Sequence, residues 1–433
     1  LYFRFESINM RVAVVGAGAA GLVAARELSR ANHDVAVYEQ SMNLGGIWVY
    51  QEKSERDPLG QSGLRLHASM YKTLRTNLPR DVMAFFDFSF DSEGGGKDSW
   101  PRYPGHAEVL YYWQRFADAF DVERLIDFNA KVLCVHRGDK WTLLIDSKKG
   151  RIEEKFDALA VCNGHYAEPR VPNIPGIKSF PGLMMHSHNY RARDSFTNKR
   201  VAVIGTAASG VDLTIEIAGV SESVYWCGND QTERHEKIEH MRNVFACGPL
   251  TAVTKDGRLL TENSGYVGPI DCLIFATGYH YSFPFLSKDL ISVNDNWVTP
   301  LYRDLLCVTQ PTLALLGVPL KIIPFPIFEI QSRWFARLLN KEFELPVAST
   351  MFELQEERAS KLGESGIHQR NFHVLENQFQ YYDELAIECG EPVLPNWYRK
   401  LGEAAREHGK NFPGSFRDKF LDVHGAPTRY PEQ

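Results

Sequence analysis

Two glycine-rich turns offer the clearest chemistry in this 433-residue chain, and that chemistry is anion binding. Gly16, Ala17, Gly18, Ala19, Ala20 and Gly21 follow the apolar run Arg11 to Val15. They open the segment LVAARELSR, whose apolar positions recur at helical spacing. A second apolar strand, Val35 to Tyr38, ends in Glu39. Each residue type has a physical reason. Gly16 permits the tight turn, and Gly18 lets backbone amides approach a pyrophosphate. Gly21 allows helix and strand to pack closely, and the helix N-terminus favours the anion. Glu39 suits the hydroxyls of a ribose. The glycine pattern alone is weak evidence. Strand, turn, helix, strand and acid together specify a dinucleotide-binding βαβ unit.

The pattern recurs. Arg200 to Ile204 reads as a strand, Gly205, Thr206, Ala207, Ala208, Ser209 and Gly210 as the turn, and VDLTIEIAG as the helix, opening with Val211 and Asp212. Ala207 stands where the second glycine is expected. Ser209 could bond a phosphate, while Asp212 suits either the nucleotide or a helix cap. The next strand, Ser223 to Cys227, ends without a carboxylate. An acid there would bond the ribose of NAD and repel the extra phosphate of NADP, so its absence points to NADP. Arg234, His235 and Lys237 lie downstream to meet that phosphate, although Asp230 is near enough to play the acid. Two more strands run into glycine, at Leu159 to Gly164 and at Cys272 to Gly278. They read as crossing points between two dinucleotide domains.

Composition excludes several classes. The chain is 44% hydrophobic and 24% charged with a net charge of −6, and it holds no polybasic run, which argues against nucleic acid. Seven scattered cysteines form no C-x-x-C pair, so neither a disulfide framework nor a zinc site is expected, and no histidine shows metal spacing. The apolar stretch Pro311 to Ile330 carries four prolines, Lys321 and Glu329, and fails as a spanning helix. The ending GAPTRYPEQ is polar and holds no anchor. The opening LYFRFESIN fits neither a signal peptide nor the following strand, and reads as an expression scar or a pro-region. The expectation is a soluble protein, cytoplasmic, or secreted if a signal peptide was removed. Oligomeric state is open, a homo-oligomer included.

Between the two units lies Phe180-Pro181-Gly182-Leu183-Met184-Met185-His186-Ser187-His188-Asn189-Tyr190. It resembles the F-x-G-x-x-x-H-x-x-x-[YF] fingerprint of flavin-containing monooxygenases at Phe180, Gly182, His186 and Tyr190. The related Baeyer–Villiger enzymes usually end that motif in Trp or Pro, so Tyr190 resembles the N- and S-oxygenating branch. Other segments are similar to the family's: Gly45-Gly46-Ile47-Trp48, the run Tyr71 to Pro79, Phe275-Ala276-Thr277-Gly278-Tyr279, and the run Pro324 to Trp334. The resemblance covers about residues 11 to 340. The compact C-terminal part is similar to soluble fungal or insect forms, insect alkaloid N-oxygenases in particular.

The resemblance implies an α/β fold of two Rossmann-like dinucleotide-binding domains, the NADP domain inserted into the FAD domain. The expected boundaries are 10–167 for the first part of the FAD domain, 168–282 for the NADP domain, and 283–433 for the second part with C-terminal helices. It implies that NADPH reduces FAD, that dioxygen adds to give a C4a-hydroperoxyflavin, and that a soft nitrogen or sulfur of a small amine or sulfide takes the distal oxygen. The flavin carries the hard step, which fits the lack of a catalytic triad or carboxylate pair. Asn77 matches the family's active-site asparagine, whose amide donates to a developing oxyanion. Thr76 and Leu78 flank it as cofactor contacts. Gly46, Ile47 and Trp48 would line the flavin, Val132 the adenine, and Gln331 the flavin edge, with Glu329 and Arg333 beside it or in an interdomain network. His186 and Tyr190 read as packed structural residues. A disulfide reductase needs a cysteine pair that is absent here. A Baeyer–Villiger monooxygenase and a non-oxygenating FAD/NADPH-binding flavoprotein are the alternatives.

Overall fold

The computed structural model describes residues 9–62, 67–229, 241–419 and 421. The opening segment LYFRFESIN, apart from its last residue, and the ending GAPTRYPEQ lie outside these. The first apolar run forms β1 (Arg11–Val15), followed by helix α1 (Ala19–Arg30) and β2 (Asp34–Glu39). Both strands are fed by β-branched and apolar residues that can be buried on two faces, as a parallel sheet requires. β1 pairs in parallel with β2 and with β3 (Ala158–Val161).

The second apolar set builds another parallel sheet. It comprises β4 (Leu183–His186), β5 (Arg200–Ile204), β6 (Ser223–Cys227), β7 (Val244–Cys247) and β8 (Cys272–Phe275), in the order β7-β6-β5-β8-β4. Helix α2 (Ala208–Ala218) follows β5. The chain then returns to the first sheet. The strand Leu313–Leu315 pairs in parallel with β3, so a seven-stranded sheet is built from segments on both sides of the second one. The insertion expected from the sequence is therefore present in the strand order.

The two connecting segments meet each other. Glu168–Pro169 pairs antiparallel with Tyr279–His280, the Arg170 amide donates to the Gly278 carbonyl, and the Asn163 amide side chain donates to the Ser282 carbonyl. The proline-rich stretch Pro311 to Ile330 holds that returning strand and the start of α3 (Pro324–Leu339), where Pro324 takes a first-turn position that needs no amide donor. Among the described residues, no helix is long and apolar enough to cross a membrane.

A C-terminal helix covers Gln378–Cys389, and the Asn377 side chain starts it by accepting from the Phe379 and Gln380 amides. Gly94-Gly95-Gly96 forms a tightly packed turn. A Cβ on Gly96 would stand 1.9 Å from the Phe90 carbonyl oxygen and one on Gly95 2.3 Å from the Phe88 ring, so the turn is packed against aromatic core.

Candidate functional site

The two glycine turns share one geometry. Gly16 and Gly205 have φ of +103° and +125°, open only to glycine at low cost. Their amides donate at 2.9 Å to the carbonyls of Tyr38 and Cys227, the ends of β2 and β6. A Cβ on Gly21 would lie 1.8 Å from the Gly16 carbonyl oxygen, and one on Gly210 2.1 Å from that of Gly205. These glycines are there for packing.

The middle position is different. Gly18 and Ala207 are the residues before α1 and α2, with nearly the same extended backbone (φ −77°, ψ −172° and φ −77°, ψ −175°). Nothing in that conformation demands glycine, which is why Ala207 is tolerated in the second turn. Neither helix has a side-chain cap or an acid in its first turn, whereas the Asn377 helix is capped. Uncapped amides at the positive end of a helix dipole are suited to phosphate. Ser209 is exposed in that first turn, with Thr206 and Val211 half-buried around it.

Glu39 is buried at the tip of β2. Its two carboxylate oxygens accept from the amides of Ala17 and Ser41, each at 2.8 Å. It therefore holds the glycine turn as well as leaving a lone pair on each oxygen for ribose hydroxyls. The Ala130 amide donates to the Glu39 carbonyl, which brings Val132 and its strand beside the same tip. Gly46 sits on the other side of the turn: a Cβ on it would be 2.9 Å from the Gly18 Cα, and the Gly45 amide donates to the Ala17 carbonyl. Ile47 and Trp48 follow in a short 3-10 turn, both half-buried. Gly16, Gly18, Gly21, Glu39 and Gly46 thus bound one cradle at the uncapped start of α1, with Ala19 and Ala20 in the first turn of that helix and Val132 on the strand beside the Glu39 tip, a set of amides and an acid suited to a dinucleotide.

At the second locus Asn77 is exposed, while Thr76 is buried. The Thr76 hydroxyl donates to the Leu78 carbonyl at 2.7 Å and its amide to the Pro104 carbonyl at 2.8 Å. Thr76 accordingly shapes the turn that presents Asn77, instead of offering its own hydroxyl. Asp212 is also committed: its carboxylate accepts two bonds from Arg417 and one from the Tyr71 hydroxyl, and it does not cap α2. Gln331 has no exposed surface even with no ligand in the structure, and its amide is used at both ends by the Gly317 amide and the Tyr381 hydroxyl. In this arrangement Gln331 holds the Gly317 turn against α3. Glu329 is buried between Arg26, at 2.6 Å, and Arg333, at 2.8 Å, in an ion network that joins α1 to α3.

The fingerprint has a mechanical meaning. β4 pairs in parallel with β8, and the motif grips β8 at both ends. A Cβ on Gly182 would meet the Asp271 carbonyl oxygen at 2.4 Å, and His186 Nε2 donates to the Gly278 carbonyl at 3.0 Å. His186 Nδ1 accepts the His188 amide, which fixes the tautomer. Burial pushes the His186 pKa down to about 3, so the ring stays neutral. Tyr190 is buried edge-on against Tyr71, with ring centroids 5.4 Å apart.

Arg234, His235, Lys237 and Asp230 lie outside the described residues. The sequence reading missed Arg417, which no motif marks, and Trp226, whose buried indole donates to the Gly205 carbonyl and steadies the second turn. The apolar run around Trp226 could have flagged a buried donor in need of a partner. Among the described residues, no three His, Cys, Asp or Glu side chains converge as metal ligands do.

Comparison with known proteins agrees with this geometry. The flavin-binding monooxygenase-like family model matches residues 9–233 and 243–399. The chain is 39% identical over 441 residues to Flavin-containing monooxygenase FMO GS-OX-like 2 of Arabidopsis thaliana, covering 98% of this chain and 94% of that one. It is 38% identical to the S-allyl-L-cysteine S-oxygenase of Allium sativum, with a TM-score of 0.90 over 95% of this chain and 96% of that one. Cyclohexanone monooxygenase, at 16% identity and a TM-score of 0.61 over 88% of this chain and 97% of that one, shares the fold alone. With two dinucleotide cradles, the bracketing fingerprint and likeness along nearly its whole length, the chain belongs to the flavin-binding monooxygenase-like family and is a flavin-dependent monooxygenase with FAD and NADP as its cofactors.

Proposed function

We propose that the chain oxygenates the sulfur of small thioethers, with Asn77 as the polar side chain at the reacting centre. The observation that carries this reading is the 38% identity, over almost the full length of both chains, to an S-oxygenase. That relative supports sulfur over nitrogen as the atom oxygenated.

FAD would be held in the first cradle, where the uncapped start of α1 suits its pyrophosphate and Glu39 its ribose, and NADP would be held in the second, where Ser209 suits its phosphates. Bound flavin supplies the oxygen-transfer chemistry, and the protein supplies binding, orientation and exclusion of water. A thioether needs no protein base, because it has no proton to lose. Asn77 donates a hydrogen bond without delivering a proton, which suits a site that must stabilise charge and avoid premature protonation. The NADP domain runs from about 168 to 282, with FAD-domain segments at 10–167 and 283–433. We take the enzyme to be soluble, cytoplasmic or exported.

The test is anaerobic reduction with NADPH followed by rapid mixing with oxygenated buffer, read by absorbance. A persistent species distinct from oxidised and reduced flavin, discharged faster by methyl phenyl sulfide than by a tertiary amine, is the expected result. Immediate return to oxidised flavin with hydrogen peroxide release would overturn it. Light scattering on the same preparation reads the oligomeric state.

A further inference from the structure

We propose that Arg417 is a positioning residue that fixes the Asn77 turn to the first NADP-domain helix; the inference rests on Asn77 serving as the polar contact above. Asp212 and Glu216 are four residues apart on α2 and so share one face. The segment leading to Asn77 is docked on that face. The Tyr71 hydroxyl donates to Asp212 Oδ2 at 3.3 Å and the Thr73 hydroxyl to Glu216 Oε1 at 2.7 Å. Arg417 completes the junction. Its Nη1 and Nη2 donate to the two Asp212 oxygens at 2.9 and 2.8 Å, while its Nε donates to the Thr76 carbonyl at 2.8 Å.

One planar guanidinium therefore spans the NADP helix and the residue before Asn77. Its rigid fork sets angle as well as distance, which a lysine could not do. The pair is mostly sheltered, with both side chains 16% exposed. Arg75 reinforces the contact by donating to the Arg417 carbonyl at 3.1 Å and pairing with Asp418 at 2.6 Å. Phe416 seats the segment with its ring edge-on to Tyr103, centroids 5.2 Å apart. Beside the junction a cavity of about 280 Å³ opens, lined by Thr73, Arg75, Asp212 and Glu216 among others. The C-terminal segment thus sets the distance between the Asn77 turn and the nicotinamide side.

The experiment uses Arg417→Ala, Arg417→Lys, Asp212→Asn and the Arg417→Ala/Asp212→Asn double variant as holoenzymes, with methyl phenyl sulfide as probe. FAD occupancy, the NADPH KM, kcat and sulfoxide formed per NADPH are measured. Arg417→Ala is expected to keep FAD, raise the NADPH KM several-fold and divert NADPH to hydrogen peroxide. Arg417→Lys should restore only part of the coupling, and the double variant should be no worse than either single one. Unchanged KM and coupling in Arg417→Ala, or additive losses in the double variant, would overturn the proposal. If Arg417→Ala does not fold, Asp212→Asn decides by the same two readouts. Asn77→Ala run in parallel separates the readings. A loss there with Arg417→Ala unaffected sinks the clamp alone, and no change in either sinks the Asn77 reading with it.

Discussion

His186 Nε2 stands 3.0 Å from the carbonyl oxygen of Gly278, ninety-two residues along the chain, and that bond ties the fingerprint to the crossing between domains. The histidine is fully buried and neutral, so it acts as a fixed donor. Its place in a family signature follows from holding β4 and β8 together at the point where the chain leaves the NADP sheet.

This bond has a pH signature. The folded-state pKa is about 3, below the unfolded value of about 6.5. Above pH 6.5 neither state binds the proton and stability is unaffected. As pH falls below that value the unfolded state gains a proton that the folded state refuses, so stability drops, by at most about 1.4 kcal/mol per pH unit for this group. His186→Gln should flatten the loss in urea unfolding between pH 6.5 and 5, whereas His186→Ala should cost about 0.5–1.5 kcal/mol at pH 7 through the lost hydrogen bond, since the Gly278 carbonyl keeps the Arg170 amide as its other donor. An unchanged acid slope in His186→Gln would show that another group governs it.

The glycines of the first turn should separate by role. Gly18→Ala meets nothing closer than the Gly46 Cα at 3.5 Å and needs no unusual φ, so the apoprotein should melt as the wild type does. Its FAD affinity should fall about tenfold or more, ~1.4 kcal/mol, because the methyl sits where the pyrophosphate approaches. Gly21→Ala drives a Cβ into the Gly16 carbonyl oxygen and should fail to accumulate as folded protein. Comparable flavin loss and comparable melting in the two variants would contradict the assignment.

Asn77 is exposed, and among the described residues none depends on a bond to its side chain as Gly317 depends on Gln331. Asn77→Ala should therefore leave the melting temperature within about 1 °C and lower kcat for sulfoxidation by about 10²–10³, the range for loss of a donor at developing charge. A fall in stability equal to the fall in activity would identify it as a turn residue.

The Arg26–Glu329 pair is buried at both ends, with Arg26 also stacked 4.8 Å from the Phe85 ring centroid. Glu329→Ala should cost about 1–3 kcal/mol, because Arg26 loses its most buried carboxylate partner while keeping Glu27 at 2.6 Å and Asp87 at 3.1 Å. NADPH KM in the surviving folded fraction should be unchanged. A raised KM at normal stability would return Glu329 to the cofactor site.

The sequence alone determined the two dinucleotide units, their order and the family. Glycine turns, flanking apolar strands and the tip acid are local patterns, each constrained by backbone geometry within some thirty residues. The nested topology came with the family resemblance, and the two strands that run into a glycine marked where the chain crosses. What only the tertiary structure decided is which polar residues remain available. Thr76, Asp212 and Gln331 all sit in recognised segments, yet each is already bonded by a partner: Leu78 close by, Arg417 and Tyr381 far along the chain. Arg417 itself lies past the reach of any motif and gains its meaning only because folding sets it against Asp212 and Thr76. Hydrogen-bond satisfaction is a property of neighbours in space, and for these residues no sequence period encodes who the neighbour is.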